Sequence, residues 1–391
     1  MLSRLSLVSI LLLLTSCTAD RASTQGPTES RGAAPSEPRE WVEIPPVTVL
    51  SPGVGKQLAG WREGFLVASH TDAPGQFEVF TTKNGREWRA PVRGTELEAP
   101  SCCGRNVAGY GPAGYALGRN ARGELTVRRT EDGENWESIE LQLDGVGSND
   151  PSDFHATIAA GAKGVIVVGS NSTYPPAFDG FYVWYSRDGR AFGPAVPVPA
   201  PTGDNILGGT AAATPTGFLM STSADGTTIL RSEDGKHWRD ISANLPRDVI
   251  VEHLAENEGT TVAFAQQPAR TRQPAWYRRD GVWRPAEVDP GRLPDVGVVP
   301  ARQRRVNAVH TWGSGFLAAG NTYAEEGQPK TGLVWFSPDG ASWIRMPVRH
   351  NGFDQASELM DVATGGQETM IIGYPSDDSE RPLLRQIQAT A

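Results

Sequence analysis

One short pattern recurs along this 391-residue chain and constrains its fold more than any other feature. It reads Ser/Thr-x-Asp/Asn-Gly-x-x-aromatic. Full copies stand at Thr82-Lys83-Asn84-Gly85-Arg86-Glu87-Trp88, Thr130-Glu131-Asp132-Gly133-Glu134-Asn135-Trp136 and Ser186-Arg187-Asp188-Gly189-Arg190-Ala191-Phe192. Two more are Ser232-Glu233-Asp234-Gly235-Lys236-His237-Trp238 and Ser337-Pro338-Asp339-Gly340-Ala341-Ser342-Trp343, and Arg279-Asp280-Gly281-Val282-Trp283 is a copy one residue short. Asp-Gly between alternating apolar runs is a hairpin signal, because positive φ costs glycine little. Upstream of each full copy lies a glycine-led apolar run, such as Gly64-Phe65-Leu66-Val67-Ala68 or Gly315-Phe316-Leu317-Ala318-Ala319. A unit therefore reads strand, Gly turn, strand, variable loop, strand, Asp-Gly turn, strand.

Four strands repeating at a period of about 50 residues predict an all-β propeller rather than a sandwich. The last repeat lacks its Asp-Gly-x-x-Trp. Glu40-Trp41-Val42-Glu43-Ile44-Pro45, at the other end of the chain, reads as that missing fourth strand. Aromatics at 41, 88, 136, 192, 238, 283 and 343 predict a seven-bladed β-propeller over residues 39–391, with six and eight as the neighbouring counts. Its blades would be four-stranded and antiparallel, with the N-terminal strand closing the last one and leaving no free sheet edge.

The pattern resembles the Asp-box, or BNR, repeat of sialidase-like β-propellers. That resemblance implies a box on the turn between the third and fourth strands of a blade, with its Trp packed between neighbouring blades. This chain departs from the family in placing Asp and Gly side by side. Sialidase chemistry would also need an arginine in a Phe/Tyr-Arg-Ile/Val-Pro motif near the first strand. The nearest strings, Trp88-Arg89-Ala90-Pro91 and Ile344-Arg345-Met346-Pro347, fall on fourth strands, far from the axis. The resemblance implies a fold rather than a chemistry, and no catalytic residue is assigned.

The N-terminus reads as an address. Residues 1–16 form a signal peptide with Arg4 ahead of an apolar run from Leu5 to Leu14, too short to span a membrane. Leu14-Thr15-Ser16-Cys17 resembles the lipobox of bacterial lipoproteins, which implies cleavage before Cys17 and a palmitate-bearing anchor there. Residues 17–38, rich in Ser, Thr, Pro, Gly and Ala, read as a disordered tether reaching about 25 Å. The expected location is extracytoplasmic, at the bacterial cell membrane. A net charge of −9 without a basic block argues against nucleic acid as a partner.

In a propeller the segments entering each first strand converge on the central channel. Those positions here are Gln57, Asn106, His155, Asn205, Glu252 with His253, Asn307 and Glu358, with Arg105, Asp153, Asp204, Arg304 and Arg305 beside them. Of these, Arg105, Asn106, Asp153, His155, Asn205, Glu252, His253, Arg305, Asn307 and Glu358 are the candidate ligand-binding residues. Two readings stand: a mouth that recognises a polar ligand through convergent groups, or a channel lining that is polar because it holds water. His155, His253 and His310 lack close ligand spacing, so no metal or cofactor is expected. Outside the cytoplasm Cys102 and Cys103 are expected to oxidise, and each is the other's only partner within the chain. Neighbouring Cα atoms lie about 3.8 Å apart, below the usual disulfide range from about 4.4 Å, so this vicinal disulfide would be strained. It would serve as a rigid platform for a ligand or as a loop staple.

These features point to a monomeric, lipid-anchored binding or scaffold protein for a glycan or a protein partner. The alternative is an extracellular glycoside hydrolase or lyase, with Asp153, Glu252 and Glu358 as candidates for acid/base work. A third reading is an assembly factor for membrane protein complexes.

Overall fold

Hydrophobic periodicity and Asp-Gly turns materialise as β-strands throughout. The structure, a computed structural model, describes residues 41–43, 56–70, 76–89, 97–98, 105–143, 154–171, 180–198, 209–224, 226–266, 273–289, 292–293, 297–298, 304–322, 331–346, 357–375 and 383–388. Pro35–Ala391 cluster as one compact unit. Its regular sheets are four-stranded and antiparallel, for example Phe154–Gly161, Gly164–Asn171, Phe181–Ser186 and Val196–Val198 in that order. No helix among the described residues is long and apolar enough to cross a membrane.

The innermost strands are Lys56–Trp61, Val107–Tyr110, Phe154–Gly161, Gly209–Thr214, Ile250–Asn257, Arg304–Trp312 and Ser357–Gly365. Each contacts the next, and Ser357–Gly365 returns to Lys56–Trp61 to close the ring. The final sheet is completed by the N-terminal strand Trp41–Glu43, which pairs antiparallel with Leu383–Gln388 in the register Trp41↔Ile387.

The expected count of seven separate blades is corrected. Counted as hydrogen-bonded sheets among the described residues, the propeller has six blades, accompanied by a two-stranded ribbon. The difference lies between residues 56 and 140. Leu97–Glu98 pairs with Gln76–Phe77 on one side and, through Glu98, with Arg119 on the other. Its extended backbone supplies donors and acceptors in both directions, so two quartets of strands merge into one nine-stranded sheet. Another sheet gains a fifth strand when Glu287–Val288 pairs parallel to Ser342–Arg345.

Second strands are covered on both faces by neighbouring sheets. This explains why Ala113–Arg119 and Gly315–Thr322 are buried at every residue instead of alternating. The apolar clusters sit between successive quartets. Phe264, Phe316, Trp335 and Trp343 form one, and Phe65, Val67, Phe80, Met370 and Ile372 another. Trp88, Trp136, Phe192, Trp238 and Trp283 join such clusters too, so the repeated aromatic is an inter-sheet spacer.

The repeated turn is not a simple two-residue hairpin. In Ser186–Phe192 the Asp188 carboxylate accepts the Arg190 N–H at 2.9 Å. The Ser186 hydroxyl accepts the Gly189 N–H at 2.9 Å and faces Asp188 at 3.3 Å. Glycine carries the positive φ (72° at Gly189), while the Asp caps the following turn. The short copy differs: Asp280 and Gly281 both have positive φ (54° and 80°) between the paired Arg279 and Val282, the signature of a tight primed hairpin.

Candidate functional site

The innermost strands enclose an axial cavity of about 600 Å³. About half of its lining residues are Ala or Gly, where the strands converge too closely for larger side chains. A Cβ on Gly60 would stand 2.1 Å from the Thr364 carbonyl oxygen, and one on Gly109 2.4 Å from that of Gly60. Near the ends of these strands the ring is tied by backbone bonds, Arg62 N–H to the Gly111 carbonyl at 2.7 Å and Gly366 N–H to that of Trp61 at 3.0 Å.

The polar groups lie toward the opposite end, where the strands begin. Arg105 is their hub. Its backbone N–H donates to the Thr157 hydroxyl at 3.0 Å, and its carbonyl accepts the Ile158 N–H at 2.9 Å. The guanidinium reaches over the Lys56–Trp61 strand, giving one N–H to the Leu58 carbonyl and one to the Asp361 carboxylate, each at 2.9 Å. Asp361 also accepts the backbone N–H of Leu58 at 2.8 Å and of Val362 at 2.9 Å. Two imidazoles, His253 and His310, line the cavity with Arg105. Burial is the main cause holding the His253 imidazole down at about 3, with Arg105 and Arg305 adding to it; burial and then Arg105 hold His310 at about 4. Both are neutral at pH 7; the His253 ring is hydrogen-bonded to the Val306 backbone and keeps its acceptor nitrogen, while His310 has one donor and one acceptor.

A second cluster stands at the start of Ile250–Asn257. Burial raises the Glu252 carboxyl above its ordinary value, against the opposing pull of Arg305 and Gln273. Gln273 donates to Glu252 at 3.1 Å and to the Val306 carbonyl at 2.9 Å. Arg305, half exposed, stands 3.7 Å from Glu252. Asn307 donates to Asn321 at 2.8 Å and to the Leu359 carbonyl at 2.7 Å.

Of the expected channel-mouth residues, Arg105 and His253 line the cavity. Asn106 is buried at 1% exposure, its side-chain amide unpartnered and its N–H bonded to Gln57. Glu252, Arg305 and Asn307 form the network just described. His155 and Glu358 are half-buried, opposite Ser170 and Tyr374 in their ladders. Cys17, Cys102, Cys103, Asp153, Asp204 and Asn205 lie outside the described residues. Among the described residues no cluster of three metal-ligating side chains occurs.

Asp361 was missed, although a lone acid in the apolar run Leu359-Met360-Asp361-Val362 is a readable signal. Register shifts at Val251/His253, Val306/Ala308 and Leu359/Asp361 were not readable. They mark β-bulges at Glu252, Asn307 and Met360. Bulges re-aim side chains, and here they do so on three consecutive innermost strands.

No family model matches the chain, and no curated protein matches it. Solved structures do. The BP39L lectin from Burkholderia pseudomallei is 12% identical over 87% of this chain and 97% of that one, with a TM-score of 0.56. That likeness is one of fold. It places the chain among β-propellers and goes no further. A fungal lectin from Aleuria aurantia, described as a six-bladed β-propeller with a novel fucose recognition mode, is 14% identical over 78% of this chain and 96% of that one, with a TM-score of 0.44. A structure from the GH130 family of mannoside phosphorylases is 11% identical over 60% of this chain and 83% of that one, with a TM-score of 0.33.

Proposed function

We propose that this propeller is a carbohydrate-binding protein held at the extracytoplasmic face of a bacterial membrane by lipid on Cys17, and that it takes a sugar chain into the axial cavity. Tyr110 carries the reading. It lines the finishing end of the cavity, is half exposed, and belongs to no apolar cluster among the described residues. A phenol ring in that position offers an apolar face to the C–H side of a pyranose and a hydroxyl to its polar edge. Deeper in, Arg105 and two neutral imidazoles supply donors and an acceptor for sugar hydroxyls.

Binding is favoured over hydrolysis by the state of the carboxylates. Asp361 already accepts three donors, and Glu252 is engaged by Gln273 and Arg305. Acid/base catalysis on a glycosidic bond asks for two carboxyl groups facing one open substrate site. The lectin neighbour supports the reading only through the propeller fold it shares.

A glycan array probed with the full chain tests it. Retention of a defined oligosaccharide, weakened about tenfold or more by Tyr110→Ala at unchanged thermal stability, is the expected result. Cleavage of the retained glycan would favour the hydrolase, and capture of a protein alone would overturn both sugar readings. Mass spectrometry of the N-terminal peptide from membranes, searching for a diacylglyceryl group on Cys17, tests the anchor.

A further inference from the structure

A second cavity, of about 320 Å³, lies away from the channel, bounded by Tyr185, Arg187, Gly193, Pro194, Val196 and Lys236. It exists because one copy of the repeat is irregular. Elsewhere the box aromatic lies within the first two residues of the outer strand, as Trp88 and Trp343 do, or directly precedes it, as Trp136 precedes Glu137–Glu140. Here the aromatic is Phe192, and Gly193-Pro194-Ala195 intervene before Val196–Val198. The detour is anchored by the Gly193 N–H donating to the Tyr185 carbonyl at 3.0 Å.

Tyr185 forms a fixed wall, its hydroxyl donating to the Lys163 carbonyl at 2.8 Å. Arg187 and Lys236 are exposed on either side, and the Lys236 ammonium stands 5.8 Å from the centre of the Tyr185 ring. Neighbouring acids are otherwise engaged. Asp188 accepts the Arg190 N–H, Asp234 accepts from His237 and from the Lys236 N–H, and Glu233 faces Arg239 at 3.7 Å. Among the described residues neither Arg187 nor Lys236 has an ion-pair partner. On a chain of net charge −9, two uncommitted cations converge on a recess with an aromatic wall and a proline.

We propose that this recess binds a negatively charged sugar residue, a uronate or a sulfated pyranose, within a longer glycan. The ring of such a sugar packs against Tyr185 and Pro194. Its anion lies between the Arg187 guanidinium, whose planar fork matches a carboxylate or sulfate, and the Lys236 ammonium. The inference rests on the carbohydrate reading above but uses a different part of the molecule.

Isothermal titration of the full chain with a galacturonate tetramer, a sulfated galactose tetramer, a neutral galactose tetramer and inorganic sulfate tests it. Both anionic tetramers should bind, more weakly as salt rises. Arg187→Ala and Lys236→Ala should each weaken them about tenfold, while Lys236→Arg retains binding. Binding unchanged in both alanine variants, equal binding of the neutral tetramer, equal binding of sulfate alone, or no binding of either anionic tetramer overturns the proposal. Failure of the channel reading looks different: no neutral glycan binds, yet the anionic tetramers still depend on Arg187 and Lys236.

Discussion

Arg105 and Asp361, 256 positions apart in the chain, meet in an ion pair of 2.9 Å that passes over the strand between them. Asp361 is almost fully buried, while the Arg105 side chain keeps about a third of its surface (35%) exposed. The pair is thus one-sided: the acid depends on the base more than the reverse. Arg105→Gln leaves a buried carboxylate with only two backbone donors, at a cost of roughly 1–3 kcal/mol. Asp361→Asn should cost less, because its amide oxygen still accepts one of those N–H groups. Thermal unfolding of the two variants, and of the double variant, gives the coupling directly.

Gly189 is required twice over. Its φ of 72° disfavours any side chain, and a Cβ there would stand 2.2 Å from the Tyr115 hydroxyl on the neighbouring strands. Gly123 has a similar φ of 78° with nothing near its absent Cβ. Gly123→Ala should therefore cost about 1 kcal/mol, the left-handed penalty alone, and Gly189→Ala clearly more. Gly189→Ala should cost less in a Tyr115→Ala background than in the natural chain, although Tyr115→Ala is itself destabilising because Tyr115 is a buried core residue. Equal losses at Gly189 and Gly123 would mean that packing against Tyr115 is irrelevant.

His253 and His310 set an acid limit. Their folded values, about 3 and about 4, lie below the unfolded value of about 6.5, so the unfolded chain binds protons that the folded one refuses. The stability they permit is full above about pH 6.5 and declines as pH falls toward 4 and then 3. His310→Asn should flatten the melting temperature between pH 6.5 and pH 4. Imidazole titration by NMR gives the two values independently.

Glu256 is buried at 2% exposure and bonded to Arg231, with Thr216 at 3.2 Å and Thr261 at 3.1 Å. Arg231 and Glu256 belong to successive sheets, so the pair clasps one to the next. Glu256→Ala strands the guanidinium and should cost about 3–5 kcal/mol, whereas Arg231→Met with Glu256→Leu should restore much of it. Denaturant midpoints of the three proteins decide the matter.

What could be read from residues alone follows the range of the forces involved. Asp132-Gly133, Asp188-Gly189, Asp234-Gly235 and Asp339-Gly340 turn where expected, because capping is settled within a few residues. The Leu97–Glu98 bridge escaped notice because a two-residue strand in a connection has no periodicity to read. At the site, Arg105 and His253 were legible as channel residues. Asn106 was misread as facing the channel when it is buried, and no local pattern distinguishes it from Arg105. The bulge at Met360 lies one residue before Asp361, whose partner is set by residues hundreds of positions away.

The pairing of Trp41–Glu43 with Leu383–Gln388 has a consequence for synthesis. The last sheet needs Leu383–Gln388 as well as Trp41–Glu43, so a nascent chain cannot complete it before residue 388 has left the ribosome. Until then the ring stands open at two edges, able to pair with another molecule. Truncation before Leu383 should accordingly yield aggregation-prone species rather than a slightly weakened propeller. Among the described strands, the first made waits for the last.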